Sequence, residues 1–199
     1  MARVAPVIRA ATAGICLALV AAAPAPAAGD CAGADLLPTP QDARPFARST
    51  LCLLDAERSS AGLRALSTRA TLSRAAAGYS AQMVREAFFA HRPPAGPELA
   101  GRLARAGYLS RAATDWLVGE NLAWATGAAA TPRQLVAAWM ASPGHRRNIL
   151  EPSFRDVGIG VAAGTPTAGP DGVTVTTEFG VRQVRATGRR PARVHRRLS

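Results

Sequence analysis

The sequence contains no lysine; all 24 of its Lys+Arg residues are arginine. Beside 45 alanines, that absence marks GC-rich coding rather than selected arginine chemistry. Aromatic residues are only 5%, and alanine supplies nearly half of the 48% hydrophobic total. The core is therefore thinner than the composition suggests. Long apolar runs are missing outside the first 30 residues, which excludes a polytopic membrane protein. No internal repeat, collagen-like period or heptad pattern is present. Charged residues are 19%, and helical and strand periodicities fill the middle of the chain, so full disorder is excluded too. A chain of 199 residues predicts one domain of about 150 residues.

Acidic residues are the scarcer sign, 13 against 24, for a net charge of +11. The excess sits at the ends. Arg3 and Arg9 lie in the first ten residues. Arg182, Arg185, Arg189, Arg190, Arg193, Arg196 and Arg197 lie in the last 18, which carry no acid. The middle, with 15 arginines and 13 acids, is nearly neutral.

The N-terminus reads as an export signal. Arg3 and Arg9 precede an apolar run of 14 residues, Ala10 to Ala23, and Ala25-Pro26-Ala27 supplies an A-x-A site. Cleavage is expected after Ala27, with an uncleaved anchor as the alternative. The run is short for a membrane span. Neither Cys16 nor Cys31 follows a lipoprotein-type cleavage box. Cleavage leaves Cys31 and Cys52, an even pair in an exported chain, which suggests one disulfide; two free thiols are the alternative. The bridge would tie the N-terminal lead-in to the first helix and contribute roughly 3 kcal/mol.

The rest of the chain reads as helices first and strands last. A helix starts near Phe46, places Leu51, Leu54 and Arg58 on one face, and ends at Gly62. A second fits 69–87, with Leu72, Ala76, Tyr79 and Met83 as its buried stripe and Ser67 or Thr68 as cap. A third fits 97–106, with Leu99 and Leu103 inward and Gly107 closing it. Residues 114–127 suggest a loop and then a short strand or turn. Thr131-Pro132 opens a helix that runs to Ala141 with Leu135, Val136 and Trp139 inward. Ser142-Pro143-Gly144 breaks it, and a further turn can begin at His145. Val157, Ile159 and Val161 alternate, as do Val173, Val175, Thr177 and Phe179, giving a hairpin around a 164–172 loop. The expectation is an α+β domain with a small antiparallel sheet.

Common catalytic signatures are missing. There is no G-x-S-x-G elbow, no P-loop and no dinucleotide fingerprint, and paired cysteines leave no thiol nucleophile. Of three histidines, His195 is in the tail, while His91 and His145 sit at loop or helix-break positions. Between them, separated from His91 by 28 residues and from His145 by 24, stands Glu120, the one acid of its apolar segment. Two imidazoles and a carboxylate can hold a divalent metal with open positions, or do general acid–base work without one. The bland alternative is two hydrogen-bonded histidines fixing loop geometry and a glutamate capping a turn.

The motifs FFAH, GENLAW, W-x-x-S-P-G-H-R-x-N-I-L, VGIGV and T-E-F-G, in this order, resemble the CAP superfamily. Its members are the cysteine-rich secretory, antigen 5 and pathogenesis-related 1 proteins, and the similarity is to its bacterial, SCP-like branch. The resemblance covers about residues 48–181. It implies a three-layer α-β-α sandwich with an open cleft lined by His91, Glu120, Asn121, Ser142 and His145. It also implies that Asn121 holds the turn after Glu120 and that Trp139 packs beneath. Members can bind zinc or another divalent ion in the cleft, here weakly, through His91, His145 and Glu120. Ser142 stands where the eukaryotic branch has a second cleft glutamate, and Glu178 stands where relatives often have glutamine.

These readings divide the chain into a signal peptide (1–27), a lead-in (28–47), the CAP domain (48–181) and a basic tail expected to be disordered (182–199). The first expectation is a secreted, monomeric binding module, rather than a classical enzyme, holding a small-molecule, lipid or peptide-like ligand in its cleft. A metal-assisted hydrolase with Glu120 as base is the second, with Glu120, His91 and His145 as candidate catalytic residues. The third is attachment of the arginine tail to an anionic polymer or membrane surface, with no specific nucleic acid target.

Overall fold

The computed structural model describes residues 30–37, 43–167 and 169–184. The signal segment 1–27 and tail residues 185–199 lie outside the described residues. In chain order the elements are α1 (Ala43–Ser60), β1 (Ser67–Thr68), α2 (Ala70–Arg85), α3 (Leu99–Arg105), β2 (Ala113–Ala125), α4 (Pro132–Ala141), α5 (Pro143–Ile149), β3 (Asp156–Thr165) and β4 (Gly169–Val184). The fold is α+β, with the sheet order β1-β3-β4-β2.

Strand alternation assigns the two helical layers. On β4 the side chains of Val173, Val175 and Phe179 point into the main core with Val157 of β3, Leu53 and Leu54 of α1, and Leu135, Val136 and Trp139 of α4. The intervening positions face α2. There Ser80 donates to Thr176 Oγ1 at 2.9 Å, and Tyr108 packs with Leu72 and Leu103. This face is lined with small residues because α2 lies directly on it. A Cβ at Gly158 or Gly160 would overlap the backbone of Leu72–Ser73 or Ala76–Ala77. The glycines of VGIGV are thus close-approach glycines.

Local chemistry sets the helix ends. Thr131 accepts from Gln134 N at 3.3 Å with Pro132 in the first turn, and the left-handed Gly62 (φ 70°) and Gly107 (φ 83°) follow α1 and α3. The buried stripe of α2 consists of Leu72, Ala76, Tyr79, Ser80 and Met83. Cys31 and Cys52 are bonded, with Cα atoms 5.7 Å apart, and Ser49 Oγ donates to Ala32 O at 2.5 Å. The lead-in is thereby fastened to α1 as expected.

The structure corrects the sequence reading at several points. Residues 113–125 are one long strand rather than a loop and turn. Its four central residues, 119–122, are all buried, so the alternation that marks a half-buried strand is lost. Gly119 is a packing glycine there, since a Cβ would come within 3.0 Å of Phe154 Cζ and 3.1 Å of Asn148 Oδ1. The sheet is mixed rather than antiparallel, because β1 pairs parallel to β3 (Ser67 with Asp156, Thr68 with Val157). Two residues are too few to display a period. Ser67 and Thr68 therefore belong to the sheet, and Arg69 stands at the N-cap of α2 without a side-chain cap. The 164–172 loop shrinks to a turn, with Thr165 opposite Gly169. At the other end β4 runs to Val184, three residues past the expected domain boundary at 181, because Arg182 lies over the Tyr108 ring and bonds its carbonyl at 2.5 Å.

Candidate active cleft

Glu120 lies on β2, the outer strand of the sheet, and is 5% exposed. His91 comes from the loop between α2 and α3. Its Nδ1 donates to Glu120 Oε1 at 2.8 Å, while its side chain remains 60% exposed. An ionised carboxylate can only accept, so the proton sits on Nδ1 and leaves Nε2 as the uncommitted ring nitrogen. The other carboxylate oxygen, Oε2, accepts from Arg102 Nη2. Arg102 comes from α3 and is buried. Its Nη1 donates to His91 O at 3.3 Å, and its guanidinium lies 3.4 Å above the Tyr79 ring. The Tyr79 hydroxyl donates to Ala90 O at 2.6 Å. The His91 loop is thus held at two adjacent carbonyls by a stacked pair, Arg102 on Tyr79. Burial pushes the Tyr79 hydroxyl up to about 12, so it serves as a neutral donor.

Glu178 faces Glu120 directly across the β2–β4 ladder. It is fully buried, neither oxygen has a hydrogen-bond partner, and Arg102 Nη2 is 3.7 Å from Oε1. Burial, and then the charge of Glu120, hold its carboxyl well above the ordinary range, against the pull of Arg102.

His145 approaches from α5. Its main-chain oxygen accepts from Asn121 Nδ2 at 3.1 Å; Asn121 Oδ1 accepts from Asn148 Nδ2 at 2.9 Å, which also donates to Glu120 O at 3.1 Å. This amide lattice locks α5 to the strand that carries Glu120. The His145 imidazole is half-buried, and burial, then the nearby His91, lower its pKa below 6.5. Ser142 sits half-buried and extended at the α4–α5 junction, with no side-chain capping bond. Trp139 Nε1 donates to Leu122 O at 2.9 Å beneath the cleft floor.

The structure therefore brings His91 and Glu120 into direct contact and ties the His145 main chain to the next residue of the same strand, Asn121. Asn121 is fully buried and acts on the cleft through the His145 backbone. The sequence reading missed Arg102, placed Tyr79 only in the buried stripe of the second helix, and gave Glu178 no role. The available signal for Arg102 was its place three residues after Leu99, on the inward face of α3.

The residues do not fit the three-ligand metal centre implied by the resemblance. Both Glu120 oxygens are committed, a guanidinium is already in contact with one of them, and among the described residues no group of three His, Cys, Asp or Glu is disposed to hold an ion.

A sheet-borne glutamate held between a loop histidine and a helix arginine, in an α-β-α sandwich, defines a cleft-bearing module of the cysteine-rich secretory type. The model of the CAP family, described as the cysteine-rich secretory protein family, matches residues 51–178, and the chain belongs to that family. The uncharacterized protein YkwD of Bacillus subtilis (strain 168) is 33% identical over 121 residues, 61% of this chain and 44% of that protein. The chain thus spans less than half the length of that relative. An extracellular protein containing a SCP domain from Bacillus anthracis str. Ames superposes with a TM-score of 0.58 at 24% identity, over 72% of this chain and 42% of that one. An outer surface protein of Borrelia burgdorferi gives 0.53 at 20% identity, over 65% and 87% of the two chains. Both share the fold.

Proposed function

We propose that this chain is an exported CAP module that binds a small-molecule, lipid or peptide-like ligand in the cleft between His91 and His145, without turning it over. Export is supported by the N-terminal charge, apolar run and A-x-A site, and by the disulfide. The SCP-domain and outer surface relatives are described as an extracellular and an outer surface protein, and among the described residues no helix is long and apolar enough to cross a membrane. The observation that carries the binding reading is the double commitment of Glu120 to His91 and Arg102. A general base must be open to the reacting proton, and Glu120 is 5% exposed with a hydrogen bond already on each oxygen. What the cleft presents is an imidazole edge from His91 and a neutral imidazole from His145, groups that donate and accept hydrogen bonds.

A second reading is favoured by the Nδ1–Glu120 bond, since a carboxylate behind a histidine is the usual support of a metal-binding imidazole. On that reading His91 and His145 would hold zinc or another divalent ion weakly, with Glu120 orienting rather than ligating.

The test follows both imidazoles by NMR while casein peptides, and separately zinc, are added to the mature chain. Joint shifts of His91 and His145 with peptides left intact support the binding reading. Peptide cleavage that is abolished in Glu120→Gln overturns it in favour of a hydrolase. Zinc binding lost in both His91→Ala and His145→Ala establishes the second reading.

A further inference from the structure

We propose that Arg102 is a built-in counter-ion, whose guanidinium fills the place between Glu120 and Glu178 that a divalent cation would otherwise take, and which positions His91 through Glu120. The inference rests on the cleft reading above. The β2–β4 register sets the two glutamates directly opposite each other on one face of the sheet. Two buried carboxyls at that spacing call for a cation, because a buried charge without one is expelled or neutralised. Among the described residues the cation beside them is Arg102, with Nη2 on Glu120 Oε2 and 3.7 Å from Glu178 Oε1.

Three features mark this guanidinium as fixed in place. It lies on the Tyr79 ring at 3.4 Å, it donates to the His91 carbonyl, and the side chain is only 8% exposed. The fit is also imperfect in an informative way. Arg102 Nε and both Glu178 oxygens are buried without hydrogen-bond partners. A planar fork anchored by its stacking partner satisfies one carboxylate and leaves the second with unused ligand capacity. Removing the guanidinium would therefore leave a carboxyl pair with free oxygens, the donor type that hard divalent cations take. In this chain the arginine occupies that place, and Glu120 is released from metal ligation to serve as the acceptor that orients His91.

The experiment measures thermal unfolding and calorimetric binding of the mature chain with zinc, manganese or calcium alone. The proteins are the wild type, Glu178→Gln, Arg102→Gln, Arg102→Lys and the double variant Arg102→Gln/Glu178→Gln. The wild type is expected to show no cation binding that depends on Glu178. Arg102→Gln is expected to gain at least a tenfold increase in divalent-cation affinity, with a cation-dependent rise in Tm, and the added Glu178→Gln is expected to remove both. Arg102→Lys, which keeps the charge, should stay cation-indifferent. If Arg102→Gln does not fold alone, millimolar divalent cation should restore it. The proposal is overturned if Arg102→Gln gains no affinity, if it is unfolded and no cation rescues it, or if the wild type binds a cation that Glu178→Gln abolishes. Failure of the ligand-binding reading has a different signature: neither imidazole shifts with ligand while the gain in Arg102→Gln persists.

Discussion

At the scale of single residues, two buried arginines do opposite work. Arg58, fully buried at the end of α1, donates to the carbonyls of Arg64 (2.8 Å), Ile149 (2.7 Å), Glu151 (3.0 Å) and Phe154 (3.4 Å). It is a structural clamp between α1 and the turn after α5, touching no carboxylate in those bonds. Arg58→Met leaves those carbonyls short of donors and is expected to cost roughly 3 kcal/mol in urea unfolding, without moving the cleft imidazole resonances. Asn121→Ala should cost about 1–3 kcal/mol and, unlike Arg58→Met, shift His145, because the Asn121 amide holds that histidine's carbonyl. Glu178 supplies a pH signature. Its folded-state pKa is raised, so the folded chain binds more protons than the unfolded one between 4.5 and that raised value. The stabilisation is fully present below 4.5 and is lost as pH rises through the window. Asp55, raised by burial, contributes a slope of the same sign. Urea midpoints against pH should therefore fall less steeply in Glu178→Gln; an unchanged slope would place the proton elsewhere. Arg58 was visible in the sequence through its spacing from Leu51 and Leu54. Arg102 and Glu178 were not, because their partners meet only through the β2–β4 register and the fold of α3 over it.

At the scale of elements, the sheet is as informative as the helices. The stripes of α1, α2 and α4 were legible because each repeats an apolar residue every three or four positions along one face. β2 was hidden by burial on both sides, and β1 by its two-residue length. VGIGV was read as a strand from Val157, Ile159 and Val161. The reason for its glycines emerges only once α2 is laid against them. Gly160→Ala should force helix and sheet apart and cost about 1–3 kcal/mol, with the loss reported by the Tm and by weakened protection of α2 amides. A variant as stable as the parent would mean that α2 is not seated where Gly160 lies.

At the scale of the whole molecule, the domain is a sheet clasped between α1, α4 and α5 on one side and α2 and α3 on the other. Its N-terminal lead-in is pinned by the disulfide and by the Arg133–Asp35 pair at 2.7 Å. The bridge closes a separation of 21 residues, so its reduction should lower stability by roughly 3 kcal/mol while leaving the cleft, on the far strand, unaltered. The family, the α+β class and the expectation that His91 and Glu120 share a cleft were accessible from ordered motifs. The electrostatic state of the cleft was not, since it depends on a third charge contributed by α3. That state is the centre of the account, and the histidine nitrogen shifts of His91 in the metal-free mature chain test it most directly. The expected result is a proton on Nδ1 of His91, donated to Glu120 Oε1. An Nδ1 without a proton would contradict it, because Glu120 would then lack the hydrogen bond from the histidine.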